Sequence, residues 1–207
     1  FPLMFFTSVA VLAVLLITGC TANSETAATS TVTVTESSPA TSSPATSTPV
    51  STGIAPATAV PSFDCAAADS EAEKLVCRDP ALAELDRRLA DTYRQALDRA
   101  GVDADMLESE QNGWVSGRDD CWKEGDGLQE CVQESYLTRL TELQIADPAT
   151  PDVPTVTYNC PGDKPLTAKF YPFDPPAGVL TWGTDRAIIF QQPTGSGIEY
   201  GREGVEF

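Results

Sequence analysis

The feature that most limits how this chain can fold is a long stretch of small hydroxylated residues near its N-terminus. Of the 42 residues from Thr21 to Ser62, twenty are Ser or Thr, eight are Ala, five are Pro and none is aromatic. Such a segment cannot bury enough apolar surface to offset the entropy that ordering it would cost. We therefore predict a flexible linker over residues 20–62, with a reach of about 35 Å as a random coil.

An uncharged leader precedes this linker. Residues 1–20 contain no charged side chain, and Val9 to Ile17 are almost all Val, Leu or Ala, a run with the length of a secretory signal core. It ends in Ile17-Thr18-Gly19-Cys20, which resembles a bacterial lipobox. The resemblance implies a signal peptide over 1–19 and a lipid, palmitate included, on Cys20 that holds the protein at the outer face of the cell membrane. An ordinary signal peptide that happens to contain a cysteine is the alternative.

The chain begins with Phe rather than Met, has no positive residues ahead of its apolar core, and stops at Phe207 within an expected strand. We expect the natural sequence to continue at both ends.

Composition excludes several classes of function. The chain has no histidine, so Ser-His-Asp and Cys-His catalysis and the commonest metal ligand are absent. Acids outnumber bases 30 to 13, and a net charge of −17 argues against a nucleic-acid partner and suits a cationic one. No acidic run has calcium-loop spacing, and no paired carboxylates lie in an aromatic cleft. We predict no metal, no cofactor and no enzymatic activity.

Helical periodicity begins after the linker and extends over residues 63–147. It predicts three to four antiparallel helices. The predicted starts are a capping box formed by Ser70 and Glu73, an Asp79-Pro80 start, an Asp103 cap, and Asp126 with Gln129 at the third position. This segment holds 21 acidic and nine basic residues, a net charge of −12.

Export predicts oxidised cysteines. Four of them lie in the helical segment and allow three connectivities: Cys65–Cys77 with Cys121–Cys131, or two crossed alternatives that tie the start of the domain to its last helices. The sequence does not choose among the three. Cys160 is left over, and we expect its partner to lie beyond Phe207.

Residues 148–154 read as a second linker, after which period-two alternation replaces helical periodicity. The predicted strands are Thr155 to Cys160, Leu166 to Tyr171, Gly178 to Trp182, Ala187 to Gln191, Gly197 to Tyr200, and one starting at Val205. Turn residues separate them, which indicates a small antiparallel barrel or sandwich over 155–207.

Two blocks in the helical segment resemble the LprI family of bacterial lipoproteins. The first runs from Phe63-Asp64-Cys65 through Glu73-Lys74-Leu75-Val76-Cys77 to the Asp79-Pro80 start, and the second contains Gln111, Trp114, Arg118-Asp119-Asp120-Cys121 and Cys131. The resemblance implies the fold of that family's N-terminal domain and little chemistry.

The strand segment resembles the MliC family, membrane-bound inhibitors of c-type lysozyme. The matching residues are Tyr158-Asn159-Cys160, Lys164 to Phe170, and Ser196-Gly197-Ile198-Glu199-Tyr200, with Ile198 where the family usually has alanine. The resemblance implies an eight-stranded barrel, here incomplete and with exposed edges, because the closing strands and a second, lysine-bearing motif would follow Phe207.

The MliC resemblance also implies the binding residues. The Ser196 hydroxyl would enter the lysozyme cleft and bind a catalytic carboxyl group, with Gly195 and Gly197 allowing positive φ and Tyr200 completing the motif.

The sequence therefore predicts an α+β protein of two domains, a small disulfide-stapled antiparallel helical domain followed by an incomplete antiparallel MliC-like β-barrel. The predicted function is a membrane-anchored inhibitor that blocks the cleft of c-type lysozyme and protects the bacterial wall. The alternative is an envelope-binding or sensor lipoprotein without inhibitory activity. The sequence leaves open which domain inhibits and which oligomeric state the protein adopts.

Overall fold

Helices occupy the first part of the described chain and antiparallel strands the second. The computed structural model describes residues 60–99, 101–160, 164–195 and 197–202, and the backbone of short strands at 15–16, 21–22 and 205–206. The predictions for Cys20, Ser196, most of the signal peptide and most of the first linker fall outside the described residues. The α+β prediction is confirmed.

The helical part contains four α-helices and two 3₁₀ segments among the described residues. Their bounds are 3₁₀ Cys65–Ala67, α1 Glu71–Arg78, α2 Pro80–Leu97, α3 Ala104–Asp119, 3₁₀ Asp120–Gly127 and α4 Leu128–Ile145.

Side-chain caps start the first three α-helices where the sequence predicts them. The Ser70 hydroxyl accepts a hydrogen bond from the Glu73 N–H, and the Glu73 carboxylate accepts one from the Ser70 N–H, which completes a capping box. Asp79 accepts from the first-turn N–H groups of α2, with Pro80 at the first position, and Asp103 caps α3. Local chemistry alone fixes these three starts.

The start of α4 differs from the prediction, because Asp126 does not cap it. Gly125 has a φ of +58°, which interrupts the 3₁₀ segment, and α4 begins after Gly127 without a side-chain cap. The Gln129 amide, expected to complete a capping box, instead donates to the Asp79 carboxylate across 3.2 Å. A tertiary contact to the start of α2 therefore takes the place of a local one.

Two disulfides hold the helical domain, and their pairing is local. Cys65 bonds to Cys77 and Cys121 bonds to Cys131, with sequence separations of 12 and 10 residues. This is one of the three connectivities that the sequence allows. The first bond ties the 3₁₀ turn to α1, and the second closes the 3₁₀ segment onto α4.

The core of the helical domain encloses a chain of polar groups as well as apolar side chains. The Tyr136 hydroxyl donates to Asp86 Oδ1 across 2.9 Å and accepts from Arg118 Nη1 across 3.0 Å. Arg118 also donates to Asp119 Oδ1 from Nε and Nη2, and its guanidinium lies 5.3 Å from the centre of the Trp114 ring. Tyr136 is fully buried, and Asp86 and Arg118 are 6% and 4% exposed.

This buried polar chain gives the Trp114 to Asp119 block a structural role. Burial raises the pKa of Tyr136, so the phenol stays protonated and can act as a donor. Burial alone would lower the pKa of Arg118, but the contacts with Tyr136 and Asp119 raise it. A buried charge is tolerated only when it is paired and hydrogen-bonded, and this chain supplies the partners.

The strands form one open sheet, in which six strands make an antiparallel meander and a two-residue strand is added at each edge. The bounds are β1 Leu15–Leu16, β2 Thr21–Ala22, β3 Thr155–Cys160, β4 Lys164–Tyr171, β5 Ala177–Trp182, β6 Asp185–Gln192, β7 Glu199–Arg202 and β8 Val205–Glu206. Their order in the sheet is β1-β8-β7-β6-β5-β4-β3-β2. Because β1 and β2 stand at opposite ends of that order, the described strands do not close into a barrel.

The sheet ends in a two-residue strand at each edge. β2 pairs antiparallel with β3 at Asn159 and Tyr158, and β1 pairs in parallel with β8, so the sheet stays open. The expectation for the partner of Cys160 stays a prediction.

The helical domain packs directly on the sheet. Leu137 of α4 forms a buried cluster with Ala177, Ile188 and Phe190 of β5 and β6. Beside this cluster, the Arg88 guanidinium of α2 donates to the Asp174 carbonyl oxygen across 2.6 Å. These contacts give the two domains one fixed relative orientation. None of the described helices is long and apolar enough to cross a bilayer.

Replacing Tyr136 by Phe tests the buried polar chain. The variant leaves Asp86 without a phenol donor and one Arg118 N–H group without an acceptor. We expect a loss of about 1–3 kcal/mol in the free energy of unfolding, which thermal denaturation measures.

The matched control is Tyr93→Phe in α2, because the Tyr93 hydroxyl makes no hydrogen bond to the described residues. We expect a change within about 0.5 kcal/mol for this control. Equal losses for the two variants would show that the chain of hydrogen bonds does not stabilise the domain.

Candidate functional site

The exposed loop between β6 and β7 carries the predicted binding residues. Gln192 pairs with Glu199 at the end of the β6–β7 ladder, so the described residues 193–195, 197 and 198 lie beyond the ladder. Pro193, Thr194 and Gly195 are exposed on one side of Ser196, and Gly197 and Ile198 on the other. Ser196 itself lies outside the described residues.

The two glycines of this loop, Gly195 and Gly197, differ in backbone conformation. Gly197 has a φ of +85°, which L-residues with a side chain rarely adopt, so the predicted positive φ is confirmed there. Gly195 is not among the glycines with positive φ, so of the two residues Gly197 alone uses that freedom. An added Cβ at either residue would meet nothing within 4 Å, which leaves backbone conformation as the only local requirement.

The base of the loop is held by a side chain and by ring packing. Gln192 Nε2 donates to the carbonyl oxygens of Phe190 and Gly201, across 3.1 Å in both cases, and so bridges β6 and β7. The Tyr200 ring packs on Phe170 with 5.0 Å between centroids. Tyr200 is half-buried and joins the apolar cluster of the sheet, which places it as a support of the loop.

Ile198 is a residue whose exposure the sequence analysis did not interpret. Its side chain is 74% exposed, the highest value among the exposed large apolar residues of the described chain. The sequence signal for this exposed apolar side chain was an aliphatic residue within a glycine-rich polar loop. Its position next to Gly197 presents an apolar contact together with the loop backbone.

A groove of about 970 Å³ lies beside this loop, between α4 and strands β6 and β7. Its lining includes Pro193 and Glu199 at the loop ends, and α4 forms the opposite wall. The lining contains one guanidinium, from Arg202, and four carboxylates, from Asp126, Glu130, Glu134 and Glu199. Arg202 Nε lies 3.9 Å from Glu134 Oε2, so the charge that remains is negative.

The loop and the groove offer groups for binding. The described lining of the groove consists of carboxylates, amides, apolar groups and one guanidinium. The described residues contain no group of three or more potential metal ligands. The arrangement is an acidic surface with a projecting loop that carries an exposed aliphatic side chain.

Comparisons with known proteins match both halves of the chain. Residues 65–147 match the family described as lysozyme inhibitor LprI, and residues 158–207 match the family described as membrane-bound lysozyme-inhibitor of c-type lysozyme. The chain is 47% identical over 152 residues to lipoprotein LprI of Mycobacterium bovis and to that of Mycobacterium tuberculosis. The match covers 72% of this chain and 76% of each relative. No solved structure matches the chain.

Replacing Gly197 by Ala tests whether the positive φ holds the loop in place. We expect a loss of about 1 kcal/mol in the free energy of unfolding, because a side chain disfavours this backbone region. The control is Gly195→Ala, which meets no neighbouring atom and requires no positive φ. Thermal denaturation of both variants measures the difference, and a greater loss in Gly195→Ala would contradict the assignment.

Proposed function

This chain belongs to the LprI family of lysozyme-inhibitor lipoproteins, and on that premise we propose that its β6–β7 loop enters the active-site cleft of c-type lysozyme. The family assignment rests on the 47% identity with lipoprotein LprI. An MliC-like domain follows the LprI domain in the same chain. These families are inhibitors and not enzymes, which agrees with the binding character of the loop.

The observation that carries the proposal is the projecting loop on a braced hairpin. A rigid loop loses less conformational entropy when it inserts into a cleft than a flexible one does. The bridge from Gln192 to both strands and the packing of Tyr200 on Phe170 supply that rigidity. The positive φ of Gly197 turns the backbone beside Ser196.

Ser196 supplies the specific polar contact in this proposal. A lysozyme cleft contains one protonated and one ionised carboxyl group, and a hydroxyl can accept from the first and donate to the second. Ile198 would bury apolar surface in the same cleft, at roughly 25 cal/mol per Å² removed from water. The hydroxyl sets the position of the loop, and the aliphatic side chain adds affinity.

Charge complementarity supports a cationic partner. The chain carries a net charge of −17, and the 3₁₀ segment and α4 place Asp126 and Glu130 in the groove next to the loop. Charges that surround a binding loop raise the rate of encounter with an oppositely charged protein. In this proposal the helical domain steers lysozyme, and the β domain makes the inhibitory contact.

The location of the protein follows from the N-terminal sequence in the same proposal. Cys20 carries the lipid that anchors the protein at the outer face of the bacterial membrane, and the linker to residue 62 gives it reach. An inhibitor placed there meets lysozyme close to the wall that the enzyme hydrolyses, and so protects that wall.

Replacing Ser196 by Ala in the full chain tests the inhibitory contact. We expect the inhibition constant against c-type lysozyme to rise by about 30-fold or more, the size of a hot-spot truncation. Lysis of a cell-wall suspension at low ionic strength measures it.

Thr184→Ala is the matched control, because it removes an exposed hydroxyl from the opposite hairpin of the same sheet. Inhibition by this control should not change. Equal inhibition by both variants would exclude the Ser196 contact and favour the helical domain or a role in envelope binding.

The double variant Asp126→Asn/Glu130→Gln tests the acidic groove. We expect its association rate with c-type lysozyme to fall about threefold to tenfold at low salt, with little change in the dissociation rate. The difference should vanish near 1 M salt, where the screening length is about 3 Å. Biolayer interferometry measures both rates.

The control is Asp105→Asn/Glu108→Gln, an equal charge change on α3 at exposed positions that do not line the groove. A smaller loss is expected for this pair. Equal losses would attribute the effect to net charge and not to the groove.

A further inference from the structure

Trp122 presents a large aromatic side chain to solvent on the helical domain. The residue is 60% exposed, and it is the aromatic member of the exposed large apolar residues that the structure describes. The buried face of α3 passes through Leu107 and Arg118 and ends at Cys121, which is 3% exposed. Because Cys121 fills the core, the next residue is left on the outside, where a partner can reach it.

The backbone that carries Trp122 is held on both sides. Trp122 belongs to the 3₁₀ segment Asp120–Gly127, and the Cys121–Cys131 disulfide ties this segment to α4. On the other side, Gly125 turns the chain with a φ of +58° before α4 begins. An aromatic side chain on such a base loses little conformational entropy when a partner covers it.

Acidic side chains surround the indole along this segment. Asp120, Glu124 and Asp126 are exposed, and Lys123 is the one basic residue between positions 120 and 127, so the net charge is −2. Lys123 Nζ lies 2.7 Å from Asp120 Oδ2 and 5.9 Å from the centre of the Trp122 ring. The indole face therefore already attracts a cation, at the outer limit for such a contact.

The same segment leads into the acidic groove beside the β6–β7 loop. Asp126 follows Trp122 by four residues and lines the groove, as does Glu130 in the first turn of α4. Four residues span at most about 14 Å of chain. A protein partner typically covers roughly 800 Å² on each side, a patch about 30 Å wide. One partner can therefore cover the groove and the indole together.

We propose that the segment Asp120–Gly127 is a second contact surface for lysozyme, at which the Trp122 indole packs on an arginine or lysine outside the enzyme's cleft. The inference rests on the proposed function and adds a short-range contact to it. The acidic groove raises the rate of encounter, the β6–β7 loop enters the cleft, and the indole holds the helical domain on the surface of the enzyme.

The chemistry of the segment selects this occupant. A cation over an indole is attracted more strongly once a partner excludes water from the contact, and tryptophan is enriched among the residues that dominate binding energy. The surrounding carboxylates favour a basic protein. They disfavour a bacterial membrane surface, because anionic headgroups attract basic segments and repel acidic ones.

Trp122→Ala in the full chain tests this surface by biolayer interferometry with c-type lysozyme. We expect the dissociation rate to rise about tenfold or more and the association rate to stay within about twofold, because the indole acts only at short range. The matched control is Met106→Ala in the first turn of α3, since Met106 is also 60% exposed. Its rates should equal those of the parent protein.

Trp122→Leu separates a cation contact from simple apolar burial. Leucine keeps apolar bulk but has no ring face, so we expect this variant to dissociate nearly as fast as Trp122→Ala. Dissociation at the parent rate would overturn the assignment of a cationic partner group.

The outcomes separate this inference from the proposed function. If the parent protein binds and inhibits lysozyme but Trp122→Ala dissociates at the parent rate, the inference alone is overturned. If the parent protein does not bind lysozyme, the proposed function is overturned and the inference with it. Binding of the parent protein to phosphatidylcholine vesicles that Trp122→Ala abolishes would assign the indole to a membrane and also overturn the inference.

Discussion

The structure depends on α4, a helix that is buried on two sides. One side contributes Val132, Tyr136 and Leu140 to the core of the helical domain, and another places Leu137 against the sheet. A helix of this kind cannot be exposed to water on either side without a loss of buried apolar surface. The folding of the helical domain and the packing of the two domains are therefore linked through one element.

The same helix links two cavities of the protein. Residues of α4 line the acidic groove beside the β6–β7 loop and also a cavity lined by Thr138 and Arg139. Glu134 and Arg202 lie in both linings, so this ion pair forms part of the wall between them.

The sequence predicted those features of the structure that depend on interactions between neighbouring residues. Ser70 and Asp79 cap their helices because the donors they satisfy lie within three residues, and strand alternation is visible over six residues. Asp126 does not cap α4, which begins after Gly127, and Gln129 bonds to a distant carboxylate. The buried chain through Tyr136 was missed for the same reason, because it joins residues 18 and 50 positions apart.

The sequence by itself determined the starts of the first three α-helices, the strands from β3 to β8, the family and the acidic character of the chain. Each of these follows from neighbouring residues, from composition, or from motifs read along the chain. Only the tertiary structure decided which cysteines pair, which of Gly195 and Gly197 needs positive φ, and where Leu137 is buried. The tertiary structure also decided that Arg139 Nη2 has no acceptor among the described residues. Burial and hydrogen-bond partnership are set by atoms far apart in sequence, and they exist only once the helices and the sheet have packed.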